Sequence, residues 1–321
     1  MSDILAKASV PADREDTSLP DIAPALHGNF YLSLVAICHQ TSPRGRLPLE
    51  GFVHSIRLAG WDYLLAKFEQ AAQADPHLLT PEHWRTISSQ EVRQVFHDQH
   101  LGDRLVDSDG RAELLRDLGA KMLANDWTRA DQMYEECEGH VTTTDRNLLR
   151  VLSQFAAYRD PVQKKSQFFL SIMKNSGNWT YPDSSLLGPP VDYHEVRGHL
   201  RIGTIHISDE ELRQAVLTGQ PVSGDGDIAI RRAVLDAIIY ISEASEIRDP
   251  SRLHYLFWNV FRTVCIRDFP RCFSASDSSL PQRYRHLLQI GLPNSCPFST
   301  CCQSTGQSHP ILEHVFETDY Y

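Results

Sequence analysis

The residues best placed to do chemistry stand near the middle of the chain. Lys164-Lys165-Ser166-Gln167 opens an apolar run, and Pro190-Val191-Asp192-Tyr193-His194 follows a Pro/Gly-rich loop. A lysine opening one helix and an aspartate opening another, folded together by that loop, would set a cation and a carboxylate beside one sugar. Cleaving a bond at C1 of a ribose builds positive charge on the ring. A fixed carboxylate can stabilise that charge or position the attacking water. The two prolines before Val191 fix the chain's approach to Asp192, and the N–H groups of the helix that follows favour its ionised form. Lys164 or Lys165, at the start of its own helix, sits where unpaired N–H groups welcome a phosphate. A plainer alternative stays open: an aspartate before a helix is commonly only its cap, and paired lysines only a solvated face.

The elements that must position these groups read as helices. Gly28 to Cys38 is a helix or buried segment, and Gly51 to Ala74 carries Phe52, Ile56, Trp61, Leu64, Leu65 and Phe68 at the spacing of one helical face. Thr80-Pro81-Glu82 supplies a cap with proline at the first helical position. Ser88 with Glu91 forms a capping box before Val92, Val95 and Phe96. Helices are predicted over 111–125, 147–157, 166–173, 193–202, 227–242 and 252–262, with a short one capped by Ser208 with Glu211. Strand signals are confined to 203–207 and the residues around Val222, and clear loops to 41–50, 177–190 and 273–280. The fold class is therefore all-α with few short strands. Residues 1–27 are expected as a mobile tail, 28–262 as one helical domain around a central pocket, and 263–321 as a Cys-rich extension packed on it.

Composition narrows the partners. The 321 residues carry a net charge of −10, whereas a protein that grips a nucleic-acid duplex usually shows a basic face. A small nucleotide is the better expectation, and an extended nucleic acid the poorer one. No apolar run approaches the roughly 18 residues of a membrane span, and the polar start reads as neither a signal nor a transit peptide, so the expected location is cytoplasmic. Gly224-Asp225-Gly226-Asp227 reads as a turn before a helix, since no Gly-Lys-Ser/Thr follows. His194, His199 and His206 are spaced too irregularly for one metal-binding helix face.

Several segments in the same order resemble the queuosine salvage proteins, which act as queuosine 5′-phosphate N-glycosidases and are helical relatives of the DNA glycosylases. LLTPEHWRTISSQEVRQVF and GRAELLRDLGAKML look like the two helices preceding that family's active site. FAAYRDPVQKKSQFFLSIM is similar to its Phe-x-x-Tyr-Arg-Asp segment and the lysine helix after it, and PVDYHEVRGHLRIG to its Asp-Tyr-Arg block. The resemblance implies Asp192 as the catalytic carboxylate and Lys164 as its partner, with Lys165 the alternative if the register slips by one. It implies Tyr193 and Arg159 as supports of the pocket, and no cofactor for the hydrolysis. Two departures affect the base: Ala36-Ile37-Cys38-His39-Gln40 replaces an aromatic-rich segment, leaving His39 or Gln40 to offer hydrogen bonds, and Pro190-Val191 replaces Phe-Ala.

Two other functions compete. Pro-Val-Asp is also similar to the 8-oxoguanine DNA glycosylases of the helix-hairpin-helix type, but SQFAAYRDPVQKK lacks the glycines of their phosphate-binding hairpin. A catalytically inactive nucleotide-binding or scaffold protein of the same fold is the other.

Five of the seven cysteines crowd the C-terminal quarter. Cys265-x6-Cys272 and Cys296-x5-Cys302 are similar to the iron–sulfur loop of the endonuclease III-like glycosylases, except that twenty-three residues separate the pairs here and two do there. Cys265, Cys272, Cys296 and Cys302 are thus candidate ligands for a [4Fe–4S] cluster or zinc. Unligated thiols are the expectation, because the queuosine family has no such cluster.

Overall fold

The computed structural model describes residues 19–276 except 43 and 45, and residues 280–321 except 281, 290 and 291. Residues 1–18 of the expected tail, and 277–279 of the expected loop at 273–280, lie outside the described residues. The all-α expectation holds: the described elements are helices and short 3-10 turns, with one two-stranded sheet. The described residues form two compact units, one running to Leu187 and including Thr318–Tyr321, the other Gly188–Glu317. The segment expected as one domain over 28–262 contributes to both. Each unit has its own apolar core.

The first unit is built around α1 (His27–Ala36), every residue of which is buried. A helix apolar on all sides belongs in a core, and its polar side chains are satisfied there. Asn29 donates to the carbonyls of Leu79 and Thr128, both at 2.9 Å, and accepts from the Ala130 N–H at 2.7 Å. Just before α1, Pro24–Leu26 forms a 3-10 turn, and Ile22 and Leu26 pack on the core.

The helix expected from Gly51 is corrected. Glu50–Val53 (β1) and Ile56–Ala59 (β2) form an antiparallel hairpin, with Phe52 opposite Arg57. The reason lies in the turn: His54 and Ser55 both take left-handed backbone, at φ 49° and 66°, the conformation a two-residue hairpin turn requires. Gly60, at φ +60°, then ends the strand, and α2 runs over Trp61–Ala74, burying Tyr63, Leu64, Phe68 and Ala72.

Thr80 caps α3 (Pro81–Trp84), and Ser88 with Glu91 forms the expected capping box of α4 (Ser89–Val95). Asp107, also left-handed, caps α5 (Ser108–Ala124). Then come α6 (Ala130–Glu136), α7 (Leu148–Leu152), a 3-10 turn at Ala156–Tyr158, and α8 (Lys164–Asn175).

In the second unit, Asp192 caps α9 (Tyr193–Ile202). The predicted short helix is α10 (Glu210–Thr218), but its cap is Asp209, not Ser208: the Asp209 carboxylate accepts the Leu212 N–H at 2.8 Å. Gly224-Asp225-Gly226-Asp227, expected as a turn, is the first turn of α11 (Gly224–Glu243), because the Ser223 hydroxyl accepts the Gly226 N–H and starts the helix there. Asp249 caps α12 (Pro250–Thr263). Neither strand signal yields a strand: Gly203 ends α9 with φ +84°, and Pro221 forms only an isolated bridge with Val315. Helix α9 packs on α12 at Gly198, where a Cβ would come within 2.2 Å of the Phe261 ring.

Candidate functional site

The sequence-derived candidates fall in both units: Lys164, Lys165, Arg159 and His39 in the first, Asp192 and Tyr193 in the second. Each neighbourhood is described within its own unit.

In the first unit, Asp160 sets the start of the lysine helix. Its buried carboxylate accepts the N–H groups of Val162 at 3.0 Å and Lys164 at 2.9 Å. Gln163, in left-handed backbone at φ 61°, turns the chain into α8. Both lysines are consequently buried, Lys164 at 8% and Lys165 at 0% exposure. The solvated-face alternative does not hold for either.

Their ammonium groups take different partners. Lys165 Nζ donates to the Ala36 carbonyl at 2.5 Å and lies 3.5 Å from His39 Nδ1. Burial pulls its pKa down to about 7, with Cys38 and Asp319 opposing that and Lys164 and Arg111 adding to it. Lys164 Nζ instead donates to Cys38 Sγ at 3.5 Å and stands 4.9 Å from the Phe168 ring centroid. Phe168 and Trp61 are half-buried and meet edge to face, with centroids 4.8 Å apart.

His39 is fully buried, and burial together with Arg111, Lys165 and Lys164 holds its pKa well below the ordinary value, so it is neutral. Its Nε2 lies 3.7 Å from the Asp107 carboxylate. Arg111, also fully buried, donates to the carbonyls of Ile37, of His39 at 2.5 Å and of Val106 at 3.0 Å. The carbonyls at the end of α1 have no partner within the helix, so Arg111 and Lys165 satisfy them, and two cations suit the negative end of that helix. Gln40 closes the segment, bonding through its side chain to the Thr318 carbonyl at 3.0 Å and through its N–H to that of Tyr321 at 3.1 Å.

Arg159 does not join this cluster. It is exposed, and its guanidinium donates to the Gln154 carbonyl at 3.3 Å. Arg111, Trp61 and Phe168 were missed as candidates, although the signal was present. Arg111 precedes Leu114, Leu115 and Leu118 by three, four and seven residues, so it shares their buried face. Phe168 lies four residues after Lys164, one turn along the same face.

In the second unit, Asp192 is held from two sides. Its Oδ1 accepts the N–H groups of His194 at 2.8 Å and Glu195 at 3.4 Å, and its Oδ2 accepts the indole N–H of Trp258 at 3.1 Å. It is a helix cap, as the plainer reading had it, but one whose second oxygen is fixed by a side chain from α12. Arg262 stacks over Trp258 at 4.8 Å, and Arg267 over Tyr193 at 5.7 Å. One turn into α9, Glu195 is fully buried against His254, 2.6 Å away; burial and the neighbouring Asp192 push its pKa well up.

The fold is mainly helical, and its first unit encloses cations beside a half-buried aromatic pair. Residues 50–174 match the family model described as queuosine salvage protein, the family the sequence resembles. The match reaches from the hairpin to α8, so it covers Lys164, Lys165, Asp107, Arg111 and Phe168. His39 and Asp192 lie outside it. A comparison with curated proteins gives no match.

Proposed function

We propose that this protein hydrolyses the N-glycosidic bond of a modified nucleoside 5′-monophosphate resembling queuosine 5′-phosphate, releasing the free base. The observation that carries the reading is Lys164: it is a buried cation beside an aromatic ring, and it lies on a helix within the segment that matches the queuosine salvage family. Lys164 contacts the phosphate or sugar. The two lysines divide the work, because Lys165 is engaged with the Ala36 carbonyl and holds the end of α1 in place. Phe168 and Trp61 offer the stacking surface that Ala36–Gln40 lacks.

Asp192 stabilises the positive charge that develops at C1, or directs the attacking water. One of its oxygens caps α9, and Trp258 fixes the oxygen that is not capping. Tyr193 and Arg267 support that end of α9. Incubating the protein with queuosine 5′-phosphate, other nucleoside monophosphates and duplex DNA containing 8-oxoguanine tests the reading. Base release from a monophosphate alone is expected. Release from duplex DNA would favour the DNA-glycosylase function, and binding without release an inactive relative.

A further inference from the structure

We propose that Cys265, Cys272, Cys296 and Cys302 hold a [4Fe–4S] cluster in the Gly188–Glu317 unit. These four side chains line one cavity, whose remaining wall includes Phe261 and Phe298. The fifth cysteine of the region, Cys301, is not on that wall; its thiol donates to the Phe298 carbonyl at 3.5 Å. The cavity therefore selects the four residues whose paired spacings stood out in the sequence, and the long stretch between Cys272 and Cys296 does not keep them apart. The Cys296 N–H donates to the Cys272 carbonyl at 3.0 Å, tying the two pairs together. All five are free thiols, so no disulfide competes for them.

The surroundings suit thiolates bound to iron. Arg201, fully buried, donates through Nη1 to Cys265 Sγ at 3.3 Å, and its other N–H groups hold the carbonyls of Ile266, Arg267 and Ile311. The Cys302 thiol meets the Arg201 carbonyl at 3.2 Å. A fixed guanidinium offsets the negative charge that four thiolates bring, and N–H···S bonds with an apolar wall are how proteins stabilise such clusters. Ligation releases the four thiol protons to solvent.

The thiols surround a cavity; they do not meet at a point. Among the described residues, no group of three or more His, Cys, Asp or Glu is placed to hold a metal ion. Structural zinc needs all four sulfurs at about 2.3 Å from one centre. A cubane spreads its four thiolates over its iron corners, so it calls for four cysteines lining one cavity and not for sulfurs converging on one centre.

The test is independent of the hydrolysis proposed above. The full-length chain, purified anaerobically and supplied with iron and sulfide, is expected to turn brown, with visible absorption that dithionite bleaches, and to bind about four iron and four sulfide per chain. C301S keeps this content, whereas C296S and C302S lose most of it. A colourless, iron-free parent, a parent that takes up one zinc and no iron, or a C296S protein with full iron content would each overturn the proposal. The parent measurement decides even if the variants do not fold.

Discussion

At the residue scale, neighbouring lysines with the same side chain have different surroundings and so different expected effects. Lys165 is charged only at the cost of burial. Its pKa is about 7 in the folded chain against an ordinary 10.5. Above pH 7 the folded chain loses a proton that the unfolded chain keeps, so unfolding takes up a proton and stability rises with pH across that interval. K165M is predicted to flatten this rise, by on the order of 2–4 kcal/mol between about pH 7 and 10, as read by urea denaturation at a series of pH values. K164M is predicted to keep most of that rise, losing only the part of the Lys165 shift that Lys164 adds, and to weaken nucleotide binding at least about tenfold, one lost charged contact, measured by calorimetry. The Lys164–Lys165 pair was legible as a motif, but its division of labour was not. That division depends on where the end of α1 and Phe168 fall in space.

At the scale of elements, the helix caps were the most legible features. Thr80, Ser88 and Asp192 each bind the N–H groups that their side chains and spacing implied. S88A is predicted to cost about 1 kcal/mol, seen as a lower denaturation midpoint. A turn and a cap were misread. Phe52 and Ile56 lie four apart and fit a helical face, but a turn of left-handed His54 and Ser55 places them on opposite strands of a hairpin, where Phe52 pairs with Arg57 and Ile56 with Val53. Ser208 and Asp209 are both good caps by residue type, and it is the Asp209 carboxylate that accepts the Leu212 N–H. Packing was illegible altogether. Nothing in YHEVRGHLRI shows that Gly198 touches Phe261, yet G198A would drive a methyl into that ring. It is predicted to cost about 1–3 kcal/mol and to disturb the helix that Asp192 caps, lowering stability and base release together.

At the scale of the whole molecule, charge argues against duplex substrates. With a net charge of −10, the protein is predicted to bind a nucleoside monophosphate with an affinity that falls less than about tenfold between roughly 50 and 200 mM salt. A duplex-binding protein would lose far more, and titrations at the two salt concentrations separate the cases. Among the described residues, no helix is long and apolar enough to cross a membrane. The division at Leu187 and Gly188 was not legible either, because the loop at 177–190 reads only as a connection between two helices. The central claim is that this chain cleaves a nucleotide's glycosidic bond through Asp192. Its most direct test compares the parent with D192N on queuosine 5′-phosphate, following the free base by chromatography. The account predicts release by the parent and a loss of about 100-fold or more in D192N; equal rates for the two proteins would contradict it.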